Sequence, residues 1–410
     1  MSRLPFFFIV AGLIGFGLFH LSSLASLFTW IGDGVRGPTG WFSSHLFVLG
    51  WATMLAMGAV YQLLGVILQS KLFSVRLGYV HFAVFAVGLA SLLAGFLRGE
   101  AAWLAVSAPL VFLGILLFAS NVWATLICAG QWNAITVSAA AGVLYLVMTG
   151  VTGMIMGVDF ATGWFYGMHN RLFAVHIWLG TVGWFGLIIT GFSYKLLPMF
   201  YLAHRYPSGL QTAVLIVWNA AALAGAASFL LGGRPWTAGG AVALLAVAVA
   251  LYNLHLLQIR KARHKRCPGK GIAWSVNGNQ AFAVIAVLAA VWALANPERL
   301  SDQRAVLVAG WIYLAGWVTF MILCYASKIV PFLWWTWKYG GQAGRPGTPL
   351  MADLLDERKV NVCLAVIAVS LLAPAAGLAL DVRPLVAAGG IVYSVSSLAY
   401  LSLLGLVFRR

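Results

Sequence analysis

The chain has 410 residues, of which 62% are hydrophobic and only 8% are charged, and its mean hydropathy is +0.94. A soluble globular domain carries about 25% charged residues, so this composition excludes a water-soluble fold and predicts an integral membrane protein. The formal net charge of +16 comes from cations in predicted loops and at helix ends, a distribution that favours membrane topology over nucleic-acid binding.

Twelve stretches are long and apolar enough to cross a bilayer, which takes about 20 residues of helix. In chain order they are residues 4–30, 41–69, 77–97, 103–130, 134–156, 170–201, 208–232, 236–260, 276–296, 302–334, 358–380 and 383–408. The sequence therefore predicts an all-α integral membrane protein with twelve transmembrane helices. No segment rich in proline, serine or charge separates these helices, so we expect a single membrane domain over residues 1–410.

The second, sixth and tenth predicted helices carry one motif at matched spacing. Its copies are His45, Gly50-Trp51, Gly58, Tyr61-Gln62 and Gly65; Trp178, Gly183-Trp184, Gly191, Tyr194-Lys195 and Pro198; and Trp311, Gly316-Trp317, Cys324, Ser327-Lys328 and Pro331. Because the copies are four helices apart, and four is even, the sequence predicts three parallel four-helix repeats. Their approximate bounds are 1–132, 133–270 and 271–410. Sevenfold steps keep small residues on one helix face, where they favour close packing.

Basic residues are distributed unevenly between the two sides of the predicted membrane. With the N-terminus inside, the cytoplasmic segments hold Arg3, Lys71, Arg76, Arg205, the cluster at 260–270, Lys338, Arg358-Lys359 and Arg409-Arg410. The opposite loops hold fewer cations and offset them with acids. The positive-inside rule therefore predicts that both termini are cytoplasmic, in a bacterial-type inner (plasma) membrane. The partner of the 260–270 cluster is then anionic lipid, and we expect no nucleic acid.

Histidines are the main ionisable residues inside the predicted helices, since all nine carboxylates fall in predicted loops or at helix margins. The lack of acids in the bilayer disfavours proton pumping and cation-coupled transport. His20, His45 and His176 fall at one depth near the outer surface, and His169 lies seven residues before His176. Imidazole is a common ligand of haem iron and of other metals. The alternative for each is a packing role, or for His169 a solvated surface position.

Further candidate ligands lie around the outer end of the fifth and sixth predicted helices. Thioethers suit Cu(I), so Met168 and His169 are candidate copper ligands, with gap-filling as the alternative for the methionine. Arg171 is an outer-side cation placed to hold haem propionates, although an interfacial position would explain it equally. These residues add copper as a second candidate cofactor beside haem.

Twelve helices in three four-helix arcs, with His45 near the outer end of helix two, resemble subunit I of the haem–copper oxidase superfamily. That family includes the nitric oxide reductases and the cbb3-type oxidases, and the chain is also similar in length to NnrS-like membrane proteins. The resemblance implies that His45 corresponds to the helix-two ligand of the low-spin haem, and His176 to a copper ligand on helix six. The chain departs from the family pattern, because its seventh helix lacks a histidine pair and its tenth carries Trp311 and Trp317 but no histidine.

These observations predict a b-type haem protein, degenerate in its metal ligands, without the family's oxygen- or nitric-oxide-reducing centre. His45 and His176 are the predicted axial ligands, with His20 as the substitute partner or a copper ligand. The role of the protein is then electron transfer, haem or nitric oxide sensing, or respiratory metal handling. The candidate partners are a redox partner, a subunit of a respiratory complex, or a second copy of the chain in a homo-oligomer. The alternatives are a cofactor-free membrane transporter and an assembly scaffold in which the histidines only pack.

Overall fold

The structure of the protein is a computed structural model that describes residues 3–410, apart from the side chain of Asp33. Over this range the chain is helical, and twelve helices are long and apolar enough to cross a membrane, as the sequence predicts. The helices α1–α12 are, in chain order, Leu4–Ala25, Pro38–Leu68, Val75–Arg98, Ala101–Ala129, Ala134–Thr162, Tyr166–Tyr201, Gly209–Leu230, Pro235–Lys261, Lys270–Ala295, Gln303–Gln342, Glu357–Leu380 and Arg383–Arg409. The protein is therefore a multi-pass membrane protein whose apolar helices suit a lipid bilayer.

Local sequence signals set several helix ends. The Ser74 hydroxyl accepts the backbone N–H of Leu77 at the start of α3, and Asn133 caps the start of α5 through its side-chain oxygen. α4 ends at Gly130 with a φ of 63°, a left-handed conformation that glycine adopts without steric cost. These caps satisfy backbone groups that a helix end leaves without partners.

Several helix ends differ from those predicted; α9, for example, begins at Lys270 and α10 ends at Gln342. Two of the differences, in α1 and α5, change the surroundings of candidate site residues. α1 stops at Ala25 rather than near residue 30, because Leu27 and Phe28 take φ values of 46° and 61° and turn the chain back. The returning segment is held by Trp30, whose indole N–H donates to the hydroxyl of Ser23 at 3.2 Å. α5 continues beyond residue 156, so that Asp159 lies in its last turn instead of in a loop.

A π-helical segment interrupts α2, α6 and α10. The three segments are Leu46–Thr53, Leu179–Phe185 and Trp311–Thr319. Each contains the Gly-Trp pair of the sequence motif. π-helical turns are rare and occur often at functional sites. The recurring motif thus marks a recurring backbone feature, which the sequence spacing by itself did not predict.

The described chain divides into two compact units. The first comprises residues up to Ala59, Cys267–Gly278 and Val306–Arg410, and the second comprises Val60–Arg266 and Asn279–Ala305. The first unit therefore contains α1, α11 and α12, the N-terminal part of α2, the start of α9 and most of α10. The second contains α3 to α8. The single domain expected from the sequence stays a prediction.

In the first unit, α1 packs against both α2 and α12. The rings of Phe16 and Trp51 lie 4.2 Å apart and those of Phe19 and Phe47 lie 4.5 Å apart, so α1 and α2 run antiparallel. A side chain at Gly17 would meet Leu401, which places this part of α12 opposite the middle of α1.

The direction of α12 and α10 follows from three further contacts. His20 of α1 bonds to Ser394, earlier in α12 than Leu401, so α12 runs antiparallel to α1. Trp311 of α10 contacts Tyr393 of α12. Leu323, later in α10, accepts a hydrogen bond from Tyr400, later in α12. Because the later residue of one helix meets the later residue of the other, α10 and α12 run parallel. Within the first unit α2, α10 and α12 thus share one direction, opposite to α1.

In the second unit, α3 to α8 pack as neighbours along the chain. Trp218 of α7 lies flat against Gly186 of α6, where any larger residue would overlap the indole ring. Its indole N–H donates to the carbonyl oxygen of Val182, 2.8 Å away in the π-helical segment of α6. The same side chain therefore fills the space above a glycine and gives a backbone carbonyl inside the bilayer its partner.

Candidate functional site

A group of polar and aromatic side chains lies at one level of the first unit. We call this group the histidine layer; its members are His20 of α1, His45 of α2, Tyr313 of α10, and Tyr393 and Ser394 of α12. Two ring contacts between helices show that these residues lie at one level. Phe47 of α2 packs on Phe19, the neighbour of His20, and His45 lies two residues before Phe47. Trp311 of α10 packs on Tyr393, and Tyr313 lies two residues after Trp311.

His20 is fully buried among aromatic rings. Ring centroids of Phe16, Phe19 and Tyr393 lie 4.3, 5.0 and 5.0 Å from its own, each in an edge-on arrangement. Its Nδ1 and the hydroxyl of Ser394 form a hydrogen bond of 2.9 Å. Among the described residues its Nε2 has no hydrogen-bond partner, although this atom is buried. A buried nitrogen without a partner is costly and calls for a ligand or another explanation.

His45 is held in one tautomer by the backbone. Its Nδ1 lies 2.8 Å from the carbonyl oxygen of Trp41, one turn earlier in α2. A carbonyl oxygen can only accept, so Nδ1 carries the hydrogen and, in the neutral ring, Nε2 carries the lone pair. That lone pair is the atom through which histidine ligates metals, and a hydrogen bond at the other nitrogen is the usual way to orient such a ligand.

The side chains of His45 and Tyr313 are both partly accessible. On α10 a methyl group at Gly316 would meet no heavy atom closer than the Trp311 carbonyl oxygen at 3.8 Å. No neighbouring helix therefore packs tightly on Gly316.

His176 belongs to the second unit, where its ring lies against α5. Its Nδ1 is 2.9 Å from the carbonyl oxygen of Thr149 and 3.2 Å from the hydroxyl of Thr152. The carbonyl again places the hydrogen on Nδ1 and the lone pair on Nε2. A side chain at Gly153 would overlap the imidazole, so this glycine gives the ring its place.

The other predicted site residues lie in the second unit, around the end of α5 and the start of α6. His169 is half-buried, and its Nδ1 lies 3.0 Å from the Asp159 carboxylate, a pair that resembles the carboxylate–histidine supports of metal ligands. Met168 is exposed, and the Arg171 guanidinium lies beside Gly232 at the turn between α7 and α8. Over residues 3–410, no group of three or more histidine, cysteine or acidic side chains is close enough to hold a metal ion.

Comparison with known proteins adds no family assignment. No family model matches the chain, and no curated protein does.

Sequence reasoning missed several residues of these sites. Ser394 lies 374 residues from His20 along the chain, and a serine in an apolar helix carries no signal of its partner. Tyr313 and Tyr393 stand in aromatic-rich segments that a packing role would explain equally. Asp159 was placed in a loop, and only the extra turns of α5 bring its carboxylate to His169.

A second polar network in the second unit joins α2, α3 and α4. The Tyr61 hydroxyl lies 3.1 Å from His81 Nδ1 and accepts from the Asn121 amide at 3.4 Å. Asn121 also bonds to both the backbone N–H and the carbonyl oxygen of Ser74, at 3.1 and 2.8 Å. One amide thereby ties a repeat-motif tyrosine to the turn that precedes α3.

Replacing Asn121 by leucine is expected to destabilise the protein by about 1–3 kcal/mol, because the backbone N–H of Ser74 loses its partner and the Ser74 carbonyl oxygen keeps only the N–H of Gly78. The midpoint of thermal unfolding in detergent measures this loss. Ser120→Ala is the matched control, since Ser120 is the exposed neighbour and bonds only to its own helix. Equal midpoints for the two variants would contradict the structural role of Asn121.

Proposed function

We propose that this protein binds b-type haem in the first unit, with His45 as an axial ligand. The observation that carries the proposal is the hydrogen bond from His45 Nδ1 to the Trp41 carbonyl. It orients a neutral imidazole inside a membrane helix, next to a π-helical segment, and part of the side chain is accessible. A haem ligand needs an imidazole that is oriented in this way and that the haem can reach.

His20 is the better second axial ligand, and His176 is the alternative. His20 shares the unit and the level of His45, and its buried Nε2 has no partner among the described residues. Ser394 holds its other nitrogen, which is the support that ligating histidines use. The surrounding rings of Phe16 and Phe19 supply the apolar contact that a porphyrin face requires.

The residues present thus fit the group. When bound, a haem with two histidine ligands would supply one-electron chemistry, while the protein sets its potential through the burial of the site and the hydrogen bonds to the ligands. His45 and His20 would hold the iron, Trp41 and Ser394 would fix the two imidazoles, and Tyr393 would close one side of His20.

The proposal includes the three parallel four-helix repeats and the resemblance to subunit I of haem–copper oxidases. It is supported by the π-helical segment at each motif copy and by the shared direction of α2 and α10. Two equivalent contacts also support it: Tyr61 bonds to Asn121 of α4, and Tyr194 packs on His255 of α8, 5.2 Å away. The positive-inside rule supports cytoplasmic termini in a bacterial-type inner membrane.

The physiological role proposed with this site is electron transfer, haem or nitric oxide sensing, or respiratory metal handling. Electron transfer and respiratory metal handling imply a redox partner or a respiratory-complex subunit. Copper at Met168 and His169 is a secondary proposal, supported by the Asp159 carboxylate behind His169. The rival function is a cofactor-free transporter or assembly scaffold.

The test is a dithionite-reduced minus oxidised spectrum of the purified protein, from cells supplied with haem, together with its haem content. A b-type α-band at about one haem per chain is the expected result. A featureless spectrum and no extractable haem would refute the proposal and favour the transporter or scaffold.

A further inference from the structure

A cavity of about 750 Å³ opens between α11 and α12 in the first unit. Three cations stand at its mouth, where the two helices end: Arg358, Lys359 and Arg409. Val362 and Leu403, which lie further from these ends, continue the lining with apolar surface. We call this site the basic groove. Its cations lie at the ends of the two membrane helices and its apolar wall lies within their spans. A phospholipid is arranged in the same way, with a charged headgroup at the interface and acyl chains in the bilayer core.

The positive charge at the groove is not neutralised by the protein. Glu357 is occupied, since Lys328 donates to its carboxylate and so does the backbone N–H of Lys270. Within the described residues, no carboxylate forms an ion pair with Arg358, Lys359 or Arg409.

Asp356 precedes Glu357 in the chain, and its carboxylate bonds to the backbone. Its carboxylate accepts the N–H groups of Arg358 and Lys359 at the start of α11. These two bonds, to Lys359 and to Arg358, hold the pKa of Asp356 below its ordinary value, so it is ionised at neutral pH. Three cations against this single carboxylate leave a net positive groove.

We propose that the basic groove binds an anionic phospholipid. The phosphate lies among Arg358, Lys359 and Arg409, and an acyl chain follows Val362 and Leu403. Basic pockets between transmembrane helices at the interface select anionic headgroups. A zwitterionic lipid would bring a cationic group to the same cations and would bind more weakly. The inference is independent of the haem proposal.

The experiment is native mass spectrometry of the full-length, delipidated protein titrated with phosphatidylglycerol or phosphatidylcholine. The expected result is one tightly bound phosphatidylglycerol and weaker phosphatidylcholine. Each cation contributes about a factor of five in affinity, so the Arg358→Gln/Lys359→Gln/Arg409→Gln variant should bind roughly a hundredfold more weakly. Lys71→Gln/Arg76→Gln/Arg345→Gln is the matched control, because it removes the same charge from exposed residues outside the groove and outside the 260–270 cluster. Equal losses in both variants would overturn the proposal.

Cys363 offers a second readout inside the groove. It lines the cavity and is half-buried, whereas Cys128 and Cys267 are exposed and Cys324 is buried. In a Cys128→Ser/Cys267→Ser background, phosphatidylglycerol should slow maleimide alkylation of Cys363, and phosphatidylcholine should not.

Val362→Trp keeps every charge and fills the groove, so it should weaken phosphatidylglycerol binding at least tenfold. Wild-type binding by that variant, or equal protection of Cys363 by the two lipids, would overturn the groove as the site.

Discussion

Replacing His45 by alanine is expected to abolish the b-type α-band of the protein. The change removes an imidazole whose Nδ1–H is fixed by the Trp41 carbonyl and whose lone pair is on Nε2. An iron that loses one of two axial ligands in an apolar site binds more weakly and changes its spectrum. The measurement is the reduced minus oxidised spectrum, normalised to protein, with haem content beside it.

Loss of a ligand and loss of the fold are separated by adding imidazole. The His45→Ala variant keeps the backbone of α2 and gains a ring-sized space, so free imidazole should restore part of the α-band. A misfolded variant would not respond. His204→Ala, at an exposed histidine, should retain the wild-type spectrum.

The second ligand is identified by the same spectra. His20→Ala should lose the band as His45→Ala does, and His176→Ala should keep it. The reverse result would identify His176 as the second ligand, as the sequence predicts. A wild-type spectrum in His45→Ala would contradict the proposed site altogether.

Much of the fold could be predicted from the sequence because membrane helices depend on length and composition. The twelve apolar stretches reappear as α1–α12, since each spans a bilayer with its backbone bonded internally. The end of α1 could not be predicted, because Leu27 and Phe28 are apolar and their left-handed φ values follow from tertiary packing. The π-helical turns were also missed, as the Gly-Trp spacing is compatible with an ordinary helix.

The site was only partly accessible to sequence reasoning. The depth of His20 and His45 follows from counting residues along helices, and the structure places both at one level. Their supports do not follow from counting. Ser394 meets His20 only through the packing of α12 on α1, and the His45 bond to Trp41 depends on a rotamer. The sequence identifies the histidines that could ligate a metal, and only the packing of the helices determines which ring nitrogen of each histidine carries the lone pair.

A Gly15→Ala substitution is expected to produce the largest loss of stability. α1 and α2 cross so closely at this point that an added methyl would overlap the Gly50 carbonyl group, lying 2.5 Å from its carbon. Backbone cannot yield as a flexible side chain can, so the helices would have to separate. Overpacking of this kind costs about 3 kcal/mol, at the upper end of its usual range, and helix association in lipid depends on such contacts. Thermal unfolding of the detergent-purified protein measures the loss.

Gly240→Ala is the matched control, because a methyl on that part of α8 would meet nothing within 4 Å. It should unfold at the wild-type temperature or slightly above it, since alanine is the better helix former. Equal unfolding temperatures for the two variants would contradict the α1–α2 crossing. The same crossing carries His20 and His45 to one level, so Gly15→Ala should also lower haem occupancy while Gly240→Ala leaves it unchanged. A destabilised variant with full haem would place the ligands elsewhere than on α1 and α2.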